Sequence, residues 1–95
     1  MTYKIIFTKK AEKDIDKLDN SVRQQIKKFL NKLEGTEDPR AFGDKLTGNL
    51  MGCWRYRVEN YRIGVEIQDD KLIVLIIAID HRSKIYKKMD KRINE

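Results

Sequence analysis

An unbroken apolar run, residues 72–79, is the feature that most constrains how this chain can fold. Its eight residues fall far short of the ~20 that a helix needs to cross a bilayer. Branched aliphatic side chains dominate the run, which is typical of a central strand that is covered on both faces. The sequence therefore predicts a sheet whose middle strand is buried from both sides.

Two helices are predicted before this strand. Residues 3–7 are β-prone and lead to Thr8, a typical N-cap, after which apolar residues recur at helical spacing. A second helical segment begins at a Ser21-x-x-Gln24 capping box and runs to Gly35, a residue type common just beyond a helix C-terminus. The chain is therefore expected to start with a short strand and a two-helix hairpin.

A loop is predicted for residues 36–49, and beyond it the hydrophobic period changes to two. Apolar and polar residues alternate across 54–58 and again across 61–67, which predicts two half-buried strands. Glu59 and Asn60 are expected to form the two-residue turn that joins these strands into a hairpin.

The predicted order of elements is β, α, α, β, β, β, α, which is typical of the α+β class. The 95 residues leave room for one core only. We expect a small single domain, residues 1–95, in which the N-terminal strand and the two-helix hairpin pack on a mostly antiparallel four-stranded sheet. A short, basic C-terminal helix within 83–93 completes this fold.

The charge and the cysteine content narrow the classes of function. A formal net charge of +6, from 21 basic and 15 acidic residues, favours a polyanionic partner such as a nucleic acid or an acidic protein. One cysteine and one histidine are too few for an internal disulfide or a four-coordinate zinc site, so we expect no metal and no other cofactor. We see no signal peptide or membrane-spanning segment and expect a cytoplasmic protein.

Three arginines of the predicted hairpin share one face. The two-residue turn pairs Arg57 with Arg62 and places Arg55 opposite Gly64, where the missing side chain is expected to leave an open position for an RNA backbone or nucleobase. Like charges opposite one another on a ladder destabilise it by about 0.2–1 kcal/mol. Such a cluster is suited to an anion, because guanidinium groups bind phosphate oxygens in pairs. The alternative is a solvated strand face on which nearby glutamates neutralise the arginines.

Further polar residues follow the central strand. His81 shares the parity of Ile79, Arg82 lies beside it, and Tyr86 comes just after. If the turn before the central strand has the right length, these side chains join the arginines of the hairpin. His81 is the natural acid or base candidate because imidazole titrates near neutral pH. The alternative is a strand-end histidine that is satisfied by its neighbours.

In this order, the segments resemble the RelE/ParE superfamily of toxin-antitoxin toxins, and more specifically its RelE branch, over essentially the whole chain. The resemblance is carried by the first strand, the helix hairpin and four later stretches: Lys45-Leu46-Thr47-Gly48, Trp54-Arg55-Tyr56-Arg57-Val58, Tyr61-Arg62-Ile63 and His81-Arg82-Ser83-Lys84-Ile85-Tyr86. It implies a toxin that enters the ribosomal A site, cuts messenger RNA there, and is held inactive by an antitoxin.

The resemblance and the chemistry together give a set of expected site residues. Attack of an RNA 2′-OH on the adjacent phosphate, without a metal, needs proton transfer and stabilisation of negative charge. Arginine suits the last task, because its pKa above 12 leaves essentially no neutral base. The expected catalytic residues are Arg57, Arg62, His81, Arg82 and Tyr86, and the expected substrate-binding residues are Arg55, Lys45, Lys87 and Lys88.

Two departures from the RelE pattern are visible in the sequence. RelE proteins can carry lysines where this chain has Arg55 and Arg57, and Asp80 stands where a glycine often precedes the His-Arg pair. The aromatic residues that alternate with the arginines are expected to point into the core and to stay outside the site.

The resemblance also implies partners: an acidic antitoxin of the RelB type, the ribosome and messenger RNA, with no membrane. The toxin is expected to be a monomer within a hetero-oligomeric complex. Two alternatives stay open. One is a ParE-like toxin that shares the fold but inhibits DNA gyrase, and the other is a non-catalytic basic RNA-binding module.

Overall fold

The structure, a computed structural model, describes residues 1–94. Within that part of the chain, no helix has both the length and the apolar character that a membrane span requires. The elements, in chain order, are β1 (Lys4–Phe7), α1 (Lys9–Asp16), α2 (Asn20–Leu33), β2 (Asp44–Lys45), β3 (Cys53–Val58), β4 (Tyr61–Gln68), β5 (Ile73–His81) and α3 (Ile85–Ile93). Two short 3₁₀ turns, Pro39–Phe42 and Gly48–Leu50, flank β2.

The strands form one sheet in the order β1-β5-β4-β3-β2. β1 runs parallel to β5, and the other neighbouring pairs are antiparallel. The α+β class, the helix hairpin and the mostly antiparallel sheet are therefore confirmed. The predicted strand count was one too low, because β2 lies inside the segment that was predicted to be a loop.

The apolar run forms β5, which lies between β1 and β4 and is covered on both faces as predicted. On one face α1 and α2 pack over a core that includes the fully buried Tyr56, Ile63 and Ile76. On the other face α3 contributes Ile85 and Met89 to a second, smaller cluster. The face on which a strand residue lies therefore decides whether its side chain packs towards α1 and α2 or towards α3.

The first two helices have different capping residues. Thr8 caps α1 as predicted, since its hydroxyl oxygen accepts from the Ala11 amide at 3.1 Å. The capping box predicted at Ser21 was wrong: Asp19 is the N-cap of α2, and its carboxylate accepts from the Ser21 amide at 3.2 Å. A carboxylate at this position also interacts favourably with the positive end of the helix dipole.

A buried carboxylate, Asp14, connects α1 to both β5 and α3. Only 5% of Asp14 is exposed. Arg92 donates to its two oxygens at 2.6 and 2.9 Å, and the Ile79 amide donates at 3.0 Å. Lys88 lies 3.3 Å from the same carboxylate. Asp14 therefore helps to hold α3 on the sheet, together with the apolar contacts of Ile85 and Met89.

Candidate active site

The β3–β4 hairpin has the predicted register. Val58 pairs with Tyr61 across the Glu59-Asn60 turn, and Arg57 lies directly opposite Arg62. Arg55 lies opposite Gly64 on the same face. The hairpin therefore brings three cations together on the α3 side of the sheet.

The fourth cation, Arg82, follows β5 and is placed by the hairpin turn. Its backbone amide donates to the Asn60 carbonyl at 2.8 Å. Arg62 donates from Nη1 to the carbonyls of Glu59 and Tyr61 at 2.9 and 2.8 Å. Partial burial lowers the pKa of Arg62, and so do the charges of the other three arginines. Three guanidinium groups therefore act on Arg62 in one region, which we call the arginine cluster (Arg55, Arg57, Arg62 and Arg82).

Among residues 1–94, Asp44 is the carboxylate that forms ion pairs with arginines of this cluster, and the sequence did not predict its role. Its Oδ2 accepts from Arg55 Nη2 at 2.8 Å and lies 3.3 Å from Arg57 Nε. The hydrogen bond from Arg55 and the charge of Arg57 hold the pKa of Asp44 below its ordinary value. Asp44 was missed because it lay in a predicted loop, where no periodicity assigns a side chain to a face.

Tyr86, in the first turn of α3, closes the site on the opposite side from Asp44. Its hydroxyl oxygen accepts a hydrogen bond from Arg55 Nη1. The Arg55 guanidinium carbon also lies 5.6 Å from the centre of the Tyr86 ring. Tyr86 is 44% exposed, so part of its ring remains available for stacking on a base.

The structure does not bring His81 or Lys45 to the arginine cluster. His81 pairs with Tyr61, and the two rings meet edge to face with centroids 5.6 Å apart on the other face of the sheet. Its Nδ1 lies 2.9 Å from the Ser83 hydroxyl. Lys45 pairs with Trp54 and, by strand alternation, points away from the face that carries Asp44. Among residues 1–94, neither side chain forms a hydrogen bond with an arginine of the cluster.

The two predicted lysines of α3 differ in their surroundings. Lys87 is exposed and lies beside Tyr86. Lys88 is partly buried and lies 2.9 Å from Asp80 and 3.3 Å from Asp14. Lys88 therefore holds α3 in place, and its amino group is less available to a substrate than the sequence suggested.

The interpretation of Gly64 as an open position in the anion site was wrong. A Cβ atom at residue 64 would collide with the Met89 side chain, so α3 already covers this position. The glycine is required by helix packing, because only a residue without a side chain lets Met89 approach the sheet so closely.

The aromatic residues of the hairpin lie where the sequence predicted. Tyr56 is fully buried, and its hydroxyl donates to the Pro39 carbonyl at 2.7 Å. Burial raises the pKa of Tyr56. Trp54 and Tyr61 pack against the same core. Residues 1–94 contain no group of three or more His, Cys, Asp or Glu side chains arranged to hold a metal ion.

The fold and the site define a small basic α+β protein that presents an arginine cluster suited to bind a phosphodiester. A family model described as the ParE toxin of the type II toxin-antitoxin system parDE matches residues 5–86. The mRNA interferase toxin RelE of Escherichia coli K12 is 34% identical, over 98% of this chain and 99% of that protein. The toxin RelG of Mycobacterium tuberculosis is 30% identical, over 93% and 100%.

Solved structures agree with these sequence relationships. The RelBE2 toxin-antitoxin complex of M. tuberculosis matches with a TM-score of 0.77 and 29% identity, over 86% of this chain and 100% of that chain. A variant of E. coli toxin RelE in the free state matches with a TM-score of 0.74 and 30% identity, over 98% and 99%. The chain therefore belongs to the RelE/ParE superfamily of type II toxin-antitoxin toxins, and within it to the RelE branch.

Proposed function

We propose that this toxin is a ribosome-dependent, metal-independent endoribonuclease that cleaves messenger RNA in the ribosomal A site. The observation that carries the proposal is the convergence of four arginines and Tyr86 on one face, with Asp44 as the carboxylate that pairs with them among residues 1–94. A face that only contacted water would be more stable without this repulsion. The relative named mRNA interferase toxin RelE supports the same activity.

The proposed reaction is attack of the 2′-oxygen on the adjacent phosphorus. The 2′-O–P bond forms and the P–O5′ bond breaks, which leaves a 2′,3′-cyclic phosphate and a free 5′-OH. The 2′-OH proton passes to a base, and the leaving 5′-oxygen takes up a proton. Arg57, Arg62 and Arg82 stabilise the negative charge that develops on the phosphoryl oxygens. Arg55 supports these three arginines in binding the phosphate. Tyr86 stacks on a nucleobase of the RNA or orients the 2′-OH.

His81, the proposed proton-transfer group, lies apart from the arginine cluster in the free protein. His81 keeps its role as a proposed acid or base only if its ring leaves Tyr61, since it now lies on the opposite face from the arginine cluster. A general base need not contact its substrate in the free enzyme, because catalytic hydrogen bonds often form only in the complex.

The proposed partners follow from the charge and from the relatives. The toxin's net charge of +6 suits capture by an acidic antitoxin. Solved relatives include RelB–RelE complexes from E. coli and from the archaeon Pyrococcus horikoshii. We therefore propose that this chain acts in the cytoplasm and is held inactive as a monomer within a hetero-oligomeric complex with a RelB-like antitoxin.

Replacing Arg82 tests the proposed activity in cells. Expression of the wild-type protein without antitoxin is expected to stop translation and to produce new 5′ ends within coding regions. Arg82→Ala is expected to lose both effects, because it removes one of the cations around the scissile phosphate. Arg23→Ala, on the surface of α2, is the matched control and should retain both. Mapping of message 5′ ends is the measurement, and wild type without new ends would refute the proposal.

The name of the matching family model favours one alternative, a ParE-like inhibitor of DNA gyrase. The same expression experiment separates the two functions. Intact messages together with double-strand breaks in DNA would support gyrase inhibition. Intact messages and normal growth would support a non-catalytic RNA-binding module.

A second test concerns the basic surface between α1 and α3. The lysines on this surface form no ion pair with a carboxylate of residues 1–94, unlike Lys88. Each contact between a lysine and a phosphate of single-stranded RNA contributes about 0.7 to the slope of log affinity against log salt concentration. At ~0.15 M salt this contribution corresponds to roughly fourfold in affinity. Loss of three contacts is therefore expected to weaken ribosome binding by about 10- to 50-fold. The triple variant carries Lys84→Gln, Lys87→Gln and Lys91→Gln.

A control with the same change in net charge separates this surface from a general charge effect. It carries Lys27→Gln, Lys28→Gln and Lys32→Gln on the exposed face of α2. Binding to ribosomes should be measured for both triple variants over a range of salt concentrations. Equal losses in the two variants would show that net charge alone sets the affinity.

A further inference from the structure

Asp44 joins three elements of the site through one arginine. It lies on β2 and accepts from Arg55 Nη2, on β3, at 2.8 Å. The other terminal nitrogen of Arg55 donates to the Tyr86 hydroxyl, on α3. The same Asp44 oxygen lies 3.3 Å from Arg57 Nε. One carboxylate therefore sets the orientation of two guanidinium groups, and through Arg55 it reaches the tyrosine.

The position of Asp44 is itself tightly fixed. It pairs with Arg55 across the β2–β3 ladder. The preceding residue, Gly43, lies so close to β3 that a Cβ atom there would be 2.8 Å from the Arg55 carbonyl oxygen and 2.9 Å from the Tyr56 ring. This contact leaves the backbone before Asp44 little freedom to move away from the arginines.

The remaining polar atom of Arg55 shows that its orientation is imposed. Arg55 Nε is buried and has no hydrogen-bond partner among the described residues. An unpaired buried donor is unfavourable, because it has lost its hydrogen bond to water. The bonds to Asp44 and Tyr86 hold the side chain in this conformation in spite of that cost.

We propose that Asp44 is a positioning residue, which holds Arg55 and Arg57 at the angles and spacing that a scissile phosphate requires. This inference rests on the proposed nuclease function. Without Asp44 the two guanidinium groups repel each other and separate, so the site keeps its affinity for RNA and loses its geometry. Positioning errors of ~1 Å can lower a reaction rate by about 10²-fold.

Asp44→Asn separates affinity from geometry. The variant is expected to lower the single-turnover rate of message cleavage on programmed ribosomes by about 10²-fold. Its affinity for a short RNA with a 2′-deoxy residue at the cleavage site should stay equal to that of the wild type or rise by up to about fourfold, because one negative charge is removed. A loss of rate without a loss of affinity is the expected signature.

Asp69→Asn is the matched control. Asp69 also accepts two hydrogen bonds from an arginine, Arg40, at 2.8 and 2.9 Å. Its replacement by asparagine removes the same negative charge as Asp44→Asn. It lies away from the arginine cluster, so its replacement should leave the cleavage rate within about twofold of the wild type. Equal rate losses in the two variants, or a loss that follows the melting temperature, would overturn the inference.

A readout besides activity keeps the inference separate from the proposed function. Arg57 Nε lies 3.3 Å from Asp44 Oδ2 in an ion pair, so the Nε–Hε resonance of Arg57 in NMR spectra should report on this carboxylate and change position in Asp44→Asn. If wild type cleaves no message but this resonance depends on Asp44, the nuclease proposal fails, while the finding that Asp44 orients Arg57 stands. An unchanged resonance would overturn the positioning role itself.

Discussion

Arg62→Ala is expected to lower the rate of message cleavage by roughly 10²- to 10³-fold, the range for removal of one preorganised donor to a developing negative charge. Among residues 1–94, Arg62 forms no ion pair with a carboxylate, and its guanidinium is held by the carbonyls of Glu59 and Tyr61. It is therefore held in place without being neutralised, which suits a group that stabilises a transition state. Single-turnover cleavage on programmed ribosomes is the measurement.

Arg62→Lys tests whether shape or charge matters at this position. Lysine keeps the positive charge but loses the planar fork that binds two phosphate oxygens at once. We expect a rate between those of the wild type and Arg62→Ala. Removal of a cation opposite Arg57 also relieves repulsion, so the melting temperature of Arg62→Ala should equal or exceed that of the wild type. A wild-type rate in Arg62→Ala would remove this residue from the mechanism.

The hairpin that carries the arginines was predictable because its information is local. Alternation assigned faces to residues 54–58 and 61–67, and one two-residue turn fixed the register. β2 was not predictable for the opposite reason. Two residues cannot show a period, and their pairing with β3 depends on the fold of the segment before them. The role of Asp44 could not be predicted because β2, the strand that carries it, was not predicted.

The position of His81 follows from its parity with Ile79 only once the structure shows which face of the sheet Ile79 occupies. Arg55 and Arg57 alternate with Tyr56, which points into the core, and Ile79 lies in that core as well. A residue with the parity of Ile79 therefore lies on the other face of the sheet from the arginines. The expectation that His81 would join them depended on the length of the turn before β5, which the apolar run itself could not supply.

The role of Asp14 was not predictable from sequence because it depends on a distant helix. On α1 it is one of several charged residues, and nothing local distinguishes it from its neighbours. Asp14 is buried only because Arg92 and Lys88 of α3, more than 70 residues later in the sequence, donate to its carboxylate. Pairing between groups so far apart in the chain leaves no periodic signal.

Asp14→Asn is expected to lower the free energy of unfolding by about 3 kcal/mol, the lower end of the range for breaking a buried ion pair. The lower end applies because Arg92 is 17% exposed and Lys88 28% exposed, and Lys88 keeps its contact with Asp80. A domain of this size has a total stability of only about 5–14 kcal/mol. Denaturant titration measures the loss, and Asp16→Asn, exposed on the same helix, is the control that should change little.

The pH dependence of the free energy of unfolding, compared between the wild type and Asp14→Asn, distinguishes a buried ion pair from a simple packing contact. Burial alone would raise the pKa of Asp14, but the hydrogen bonds from Arg92 and the Ile79 amide, with the charge of Lys88, outweigh it and hold the pKa below its ordinary value. A carboxylate with a lowered pKa in the folded state stabilises the protein above its unfolded pKa, and this contribution is lost as the pH falls through the folded value. The difference in stability between the wild type and Asp14→Asn should therefore be constant near neutral pH and shrink below about pH 4. A difference that does not change with pH would show that the carboxylate's charge does not stabilise the position of α3.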